Sequence, residues 1–175
     1  MIPQVLRIHS NWLKDNTYGV NAQLAALESE SLLDGDTVPP DVAFIGNQID
    51  DRVVARWVDP PERPAIYVNL DLPISFQQAD QRPGQLRGVV PVGIRYFTAH
   101  GNPDEAAEDT AHTLRAIYRS LIDLYLNANS ASRTRAGIYV EAYSELLLGD
   151  LAETVGNSLV TGGIVLRARV IETSP

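Results

Sequence analysis

Three histidines are the residues best suited to acid–base or metal chemistry in this chain: His9, His100 and His112. No two of them form an H-x-H or H-x-x-x-H pair, and none belongs to an H-E-x-x-H motif, so these zinc-ligand spacings do not occur. Serine and aspartate are abundant, but no G-x-S-x-G elbow presents a nucleophilic serine. We therefore interpret the histidines as surface or partly buried residues, without a catalytic role.

Two pairs of acidic residues are the next candidates, because paired carboxylates can bind a metal ion or share a proton. Asp34 and Asp36 lie in the stretch DGDT, and Asp50 and Asp51 are adjacent. The first stretch lacks the D-x-[DN]-x-[DN]-G pattern and the terminal Glu of a calcium loop. Adjacent side chains of an extended segment point in different directions, which does not favour a catalytic dyad. We interpret all four as solvated loop or turn residues.

The glycines and tyrosines do not indicate a nucleotide site. Gly162 and Gly163 fall inside a predicted strand, where adjacent glycines favour a bulge or a close backbone approach. The tyrosines on predicted strands and on the long helix are Tyr67, Tyr96, Tyr118, Tyr125, Tyr139 and Tyr143. A base-stacking surface would need basic neighbours, so we predict that these rings pack in the core. The sequence thus predicts no catalytic residue, no metal site and no cofactor.

The composition is that of a soluble, acidic globular domain. The 175 residues are 45% hydrophobic and 21% charged, and 22 Asp and Glu outweigh 14 Lys and Arg for a formal net charge of −8. Such a chain is a poor candidate for holding nucleic acid, because that binding depends on neutralising phosphates. The absence of Cys excludes disulfides, Cys-ligated zinc and thiol catalysis. We find no signal-peptide core and no run of about 18 apolar residues, so we expect no membrane partner.

The elements that would position these residues begin with two short helices. Pro3 suits a first helical turn. The apolar residues at helical spacing are Val5, Ile8, Trp12 and Leu13 in the first helix and Val20, Leu24 and Leu27 in the second. Acidic residues, Gly and Pro concentrate at 28–41, and polar residues with a Pro-Gly pair at 77–87, which predicts two long loops.

From residue 41 the pattern changes to the alternation that is typical of strands. The predicted strands cover 41–47, 52–59, 63–74, 88–99, 136–147 and 157–172. Pro91 lies inside the fourth of them, and a proline there favours an edge position or a bulge.

A long amphipathic helix is predicted at 103–127. Asn102 is the expected cap, Pro103 fits the first turn, and Glu105 completes a capping box. The expected apolar stripe comprises Ala107, Ala111, Leu114, Ile117, Tyr118, Leu121, Leu124 and Tyr125. These elements predict an α+β fold in a single domain over 1–175. An antiparallel (mixed) β-sheet carries the N-terminal helices and the one long amphipathic helix, packed on one face.

The last predicted strand departs from an ordinary solvent-facing pattern. One of its sides carries Val160, Ile164, Leu166, Ala168 and Val170, and the other carries Leu159, Val165, Arg167, Arg169 and Ile171. A strand buried on both sides does not normally end in two arginines. A strand with one core side and one side at a subunit contact does so when the arginines pair with acidic residues of a neighbour. Arg167 and Arg169 are therefore our candidate subunit-interface residues.

The order and texture of these elements resemble a known family. The segments concerned are the opening helix IPQVLRIHSNWLKDN, the helix segment HTLRAIYRSLIDL and the closing strand VTGGIVLRARV, with a long loop and a β-meander between the first two. This arrangement resembles the tail terminator (tail-completion) proteins of long-tailed bacteriophages. The resemblance covers most of the chain but has no short diagnostic motif, so it assigns no residue a catalytic or ligand-binding role.

The resemblance implies a structural virion protein of the tail or neck that assembles in the host cytoplasm. Such a protein forms a hexameric ring at the head-proximal end of the tail tube. The ring stops tube polymerisation and joins the tail to head-completion (stopper) proteins. It also implies that Arg167 and Arg169 meet acidic residues of the next subunit. An acidic lumen would let DNA pass without specific binding.

Three alternatives remain open at this point. A head–tail stopper of the same neck region would also form a ring and would differ in what it binds. A small cytosolic ligand-binding or enzymatic α+β domain would need a pocket with convergent polar groups. The third is an unrelated cytosolic homo-oligomer with a regulatory role.

Overall fold

Helices and strands follow one another much as the residue pattern predicts. The structure, a computed structural model, describes residues 1–33, 39, 41–42, 44–48, 64–71, 75–78, 85–99, 102–148, 152–154 and 159–173. The helices within these ranges are α1 (Ile2–Leu13), α2 (Val20–Ser29) and α3 (Pro103–Leu126). The strands are β1 (Phe44–Gln48), β2 (Ala65–Leu70), β3 (Ser75–Gln78), β4 (Gln85–Ala99), β5 (Thr134–Arg135), β6 (Ile138–Leu148), β7 (Ala152–Thr154) and β8 (Leu159–Thr173).

All strands of the described residues belong to one sheet. Their order is β1-β2-β4-β8-β6-β5, while β3 pairs with β4 and β7 pairs with β8 off that path. β1 runs parallel to β2, and the other paired strands are antiparallel. The long strands β4 and β8 pair along their whole length in one continuous register. The predicted α+β fold with a mixed sheet is confirmed.

The helices cover one face of this sheet. α1 and α3 contact the strands directly, and α2 packs against α3. The even-numbered positions of β4 and β8 meet this helix layer, and their buried apolar side chains are Val90, Val92, Ile94, Tyr96, Ile164, Leu166, Ala168 and Val170. The core of the described residues therefore lies between the helices and this covered face of the sheet.

α1 is fixed to α3 by two buried polar contacts in addition to its apolar side. The indole N–H of Trp12 donates to the Ser120 carbonyl over 2.7 Å. His9 contacts the hydroxyl of Tyr125 over 2.7 Å. Buried polar groups are tolerated when they find partners, so these contacts set how α1 crosses α3.

α3 begins as predicted, but its buried side is rotated from the predicted stripe. The Asn102 side chain accepts from the Asp104 N–H over 3.0 Å, and its amide donates to Glu105 over 3.2 Å. The predicted burial of Ala111 and Tyr118 is wrong, because both are exposed. Small and polar residues are buried between α3 and its neighbours: Ala106, Asp109, Thr110, Thr113, Ala116 and Ser120. A sequence pattern based on apolar residues does not predict the burial of small and polar side chains such as these.

Pro91 lies in a central strand, so the predicted edge position is wrong. On one side β4 pairs continuously with β8. On the other side its first part, residues 86–89, pairs with β3, and its later part, residues 92–97, pairs with β2. The carbonyl of Pro91 accepts from the Asp71 N–H over 3.0 Å on that second side. Since the N and C=O of one residue point the same way along a strand, the missing N–H of Pro91 faces the gap between β2 and β3.

The two predicted loops are shorter where the structure describes them. α2 continues through Ser29, β3 includes Gln77 and Gln78, and β4 begins at Gln85. Ladder pairing of β3 with β4 overrides the polar composition of this stretch. The predicted strand at 52–59 lies outside the described residues, as do His100 and the acidic pairs Asp34, Asp36, Asp50 and Asp51.

Within the described part of the chain, the length and apolarity that a membrane-crossing helix needs do not occur together in any helix.

Candidate interaction surface

The face of the sheet that is turned away from the helices carries a group of arginines. Because side chains alternate along a strand, the odd-numbered positions of β4 and β8 lie on this face. Its exposed and half-buried members, which we call the open face, are Arg87, Val89, Arg95 and Phe97 of β4 and Gly163, Val165, Arg167, Arg169 and Ile171 of β8. The arginines of two neighbouring strands are therefore brought onto one surface.

The strand register fixes how these arginines are spaced. The cross-strand pairs are Arg87 with Ile171, Arg169 with Val89, Arg167 with Pro91 and Arg95 with Gly163. Each arginine thus lies opposite an uncharged residue, which avoids the destabilisation of two like charges placed directly opposite each other. Positions on one face are about 7 Å apart along a strand, so Arg87 and Arg95 mark the ends of a strip about 27 Å long.

The open face combines charge with partly covered apolar side chains. All four arginines are exposed, while Val89, Val165, Phe97 and Ile171 are half-buried. Four positive charges on one strip contrast with the formal net charge of −8 of the whole chain. A mixture of arginine and apolar side chains is typical of protein–protein interfaces, in which arginine is enriched and lysine depleted.

Gly163 lies beside one of these arginines, Arg95, on the open face. A Cβ built on Gly163 would lie 3.4 Å from the carbonyl oxygen of Ile94 and 3.8 Å from Cγ of Arg95. β4 and β8 keep their register through this point. The bulge predicted at Gly162 and Gly163 is therefore wrong for this strand pair. The alternative of a close approach is not supported at Gly163, because a Cβ there would make only ordinary van der Waals contacts.

The open face ends where β2 joins the sheet. Tyr67 and Asn69 of β2 point to the same side as the open face but are buried. The ring of Tyr67 meets that of Phe97 edge-on with their centroids 5.6 Å apart. A Cβ on Gly93 would lie only 2.8 Å from Oδ1 of Asn69, so a larger residue at position 93 would force this buried amide to shift. The sheet is thus buried on both sides at its β2 end and open along β8.

Arg167 and Arg169 lie where the alternation of the last strand predicts. The structure confirms the helix-facing burial of Ile164, Leu166, Ala168 and Val170 and the exposure of the two arginines on the other side. Their role at a subunit contact stays a prediction.

Sequence reasoning missed two further members of this surface. Arg87 falls at the end of the loop predicted at 77–87, and Arg95 lies in the strand predicted at 88–99, where the pattern assigned it no role. The available signal was the period of two along 88–99, which puts Arg95 on the side opposite Ile94 and Tyr96.

An acidic counterpart lies at the start of α3. Asp104 and Glu105 are exposed and Glu108 is half-buried. Asn102 holds Asp104 and Glu105 through the capping contacts given above, and Glu108 lies 3.7 Å from Nε2 of His112. We call Asp104, Glu105 and Glu108 the acidic helix end. Carboxylates are favoured at this position because the N-terminus of a helix carries partial positive charge.

The histidines of the described chain take part in packing. The Nδ1 of His9 donates to the Val5 carbonyl over 2.8 Å, so Nε2 is unprotonated and accepts from the Tyr125 hydroxyl. Burial lowers the pKa of His9 to about 4, against the raising effect of the hydrogen bond to Val5. Burial likewise raises the pKa of Tyr125 above its usual value. The expectation of surface or partly buried residues is wrong for His9 and His112, which are both buried.

Within the part of the chain that the structure describes, a small cleft lies between α1 and β5. Its volume is about 280 Å³, and it is lined by Ile8, Asn11, Trp12, Asp15, Ala131, Ser132, Thr134 and Arg135. Ligand pockets are usually about 300–1,000 Å³ and mainly apolar, whereas this cleft is small and mostly polar. Among the described residues, no three His, Asp or Glu side chains are grouped as a metal site would require.

Comparison with known proteins does not assign the chain to a family. No protein-family model matches it, and a search of curated proteins finds no significant match.

Proposed function

We propose that this protein is a tail terminator of a long-tailed bacteriophage. In this role it forms a ring at the head-proximal end of the tail tube, stops tube polymerisation and joins the tail to the head-completion proteins. The observation that carries the proposal is the open face, an arginine-rich sheet surface on an otherwise acidic domain. The family resemblance in element order suggests the phage tail as the particle in which such a domain would assemble.

The open face supports assembly because it leaves apolar side chains partly exposed to water. A solvated sheet face usually alternates polar residues with the buried ones. Here Val89, Val165 and Ile171 stand between the arginines and are only half-buried. Covering them with a second subunit would remove apolar area from water, and the arginine guanidinium groups could bind carboxylates through two parallel hydrogen bonds.

A ring follows if the contact is heterologous, that is, if two different surfaces of the chain meet and the rotation between subunits closes. A hexamer is the expected closed form for a terminator. With a net charge of −8 per chain, DNA would pass through the lumen without specific binding. The protein would then belong to the tail or neck of the virion.

The proposed role is structural and involves no catalysis. His9 is held between Val5 and Tyr125 in the core, where substrate has no access. Among the described residues, the cleft beside α1 offers the cytosolic ligand-binding alternative a volume of only about 280 Å³. We favour assembly because the open face combines four exposed arginines with half-buried apolar side chains.

Electron microscopy of negatively stained samples tests the proposal. The purified protein is imaged alone and after mixing with the tube protein encoded in the same phage genome. Six-fold rings, or tubes of uniform length capped at one end, are the expected result. Tubes that grow to the same lengths with and without the protein would contradict it. Binding to the portal-side ring in place of the tube would identify a stopper.

A further inference from the structure

We propose that the open face of one copy binds the acidic helix end of a second copy, so that subunits associate head to tail. The inference rests on the proposed function only in expecting this association to close into a ring. It names both sides of the contact: the strip Arg87, Arg169, Arg167 and Arg95 on one chain, and Asp104, Glu105 and Glu108 on the next.

The first argument is that the two surfaces cannot meet within one chain. α3 packs on the covered face of the sheet, against β4 and β8. The arginine strip lies on the opposite side of those same two strands. Among the described residues, the arginine strip and the acidic helix end are therefore carried by opposite layers of the domain. Opposite charges on opposite sides attract between molecules, and repeating such a contact generates a ring or a filament.

The second argument concerns the positive residues on the helix side. Arg119 forms two hydrogen bonds with Glu30, over 2.9 and 3.1 Å, and Arg115 donates to the Leu32 carbonyl over 2.7 Å. Both residues are thus engaged in joining α3 to the segment around the end of α2. The acidic helix end lies two to four helical turns before them, so their charges do not offset it locally.

The third argument is the chemistry of the strip. All four of its cations are arginines, whose planar groups match carboxylates geometrically, and lysine occurs only at Lys14. Half-buried Val89 and Val165 lie between them and would add apolar contact. A polyanion such as the DNA backbone would use charge without those apolar residues. A second copy of the chain accounts for both.

Charge reversal on each side tests the pairing. One variant carries Arg167→Glu with Arg169→Glu, and the other carries Asp104→Lys with Glu105→Lys. Sedimentation velocity at about 0.15 M salt should show assembly of the wild type, and each variant alone should associate about 100-fold or more weakly, because like charges then face each other. An equimolar mixture of the two variants should assemble again, since every contact in it joins opposite charges.

Matched controls separate this result from unfolding and from a general charge effect. Arg7→Glu with Lys14→Glu reverses two exposed charges, one in α1 and one directly after it, and should leave assembly unchanged. Circular dichroism must show that each variant is folded. Since lysine is unfavourable at a helix N-terminus, the neutral pair Asp104→Asn and Glu105→Gln serves as a second variant, with a weaker loss of assembly expected.

Several results would overturn the pairing. One is a wild type that stays monomeric at every concentration, and another is a mixture that fails to assemble although each variant is folded. A third is loss of binding to duplex DNA in the arginine variant with assembly intact, which would make the strip a nucleic-acid surface. The tube-length assay separates this inference from the proposed function. A protein that is monomeric in solution but still limits tube length contradicts only the pairing. A protein that forms rings but does not change tube length contradicts only the terminator role.

Discussion

β4 and β8 present two different surfaces built from alternate residues of the same strands. On the covered face, Leu166 and Ile94 are fully buried under the helices, whereas one residue away Arg167 and Arg95 are exposed. Backbone pairing is the same for both faces, because each strand has one register. The difference between the faces therefore lies only in the side chains and in what covers them.

The two faces are expected to differ in their contributions to folding and to association. The covered face buries aliphatic side chains, each of which stabilises the fold by about 1.5–3 kcal/mol. The open face carries exposed arginines and half-buried apolar side chains, so it contributes less of this kind, and we expect its charges to affect association more than folding. Substitutions on the two faces should thus affect different measurements: unfolding on the covered face and association on the open face.

Leu166→Ala should have the largest effect on stability. The side chain is fully buried between the sheet and the helix layer, and truncation removes its apolar contacts and leaves a cavity. We expect a loss of about 2–5 kcal/mol in the free energy of unfolding, measured by urea denaturation. A loss below about 1 kcal/mol would mean that the covered face is not closely packed, and the comparison would fail.

Acidification should also lower the stability of the fold, through the buried His9 of α1. The pKa of His9 is lowered from 6.5 to about 4 by burial, so the unfolded chain takes up a proton at a higher pH than the folded one. The stability that depends on neutral His9 is complete above pH 6.5 and is lost as the pH falls towards 4. The expected loss is about 3 kcal/mol, measured by urea denaturation at a series of pH values.

His9→Gln is the matched control for this pH dependence. Its amide retains hydrogen-bonding groups near Tyr125 but does not titrate, so the loss between pH 6.5 and 4.5 should become smaller even if the variant is less stable at pH 7. The raised pKa of Tyr125 has the opposite sign: stability is lost as the pH rises above 10, where the unfolded tyrosine ionises. An unchanged acid profile in His9→Gln would assign the titration to another group.

The sequence predicts features that depend on neighbouring residues better than features that depend on contacts between distant parts of the chain. The period of two predicts which residues of β8 face the helices, since alternation is local. The placement of Arg95 and Arg87 beside Arg167 and Arg169 needs the pairing of β4 with β8, which joins residues 60 or more positions apart. His9 with Tyr125 is likewise a contact between distant helices. The edge position predicted for Pro91 was wrong because proline is excluded from a central strand only where a neighbouring strand needs its N–H. Here β2 and β3 pair with different parts of the same side of β4, and Pro91 lies between them.

Asn102→Ala should have an intermediate effect that sharpens the comparison. The substitution removes the acceptor for the Asp104 N–H at the start of α3. Loss of such a cap costs about 1 kcal/mol, while the open face on the other side of the sheet is untouched. Asn102→Ser retains a capping oxygen and should recover most of the loss in thermal unfolding. Equal destabilisation by both variants would show that the cap is not the cause.

Arg169→Ala should have the smallest effect on stability and is the most direct test of the division between the faces. Its side chain is exposed and lies opposite Val89 on the open face. Surface substitutions of this kind change the free energy of unfolding by about 0.5 kcal/mol or less. Urea denaturation of the monomer measures this change, and sedimentation of the same sample measures association, which should weaken. A destabilisation above about 1 kcal/mol would mean that Arg169 is needed for folding, because an arginine that acts only between subunits cannot stabilise the isolated chain.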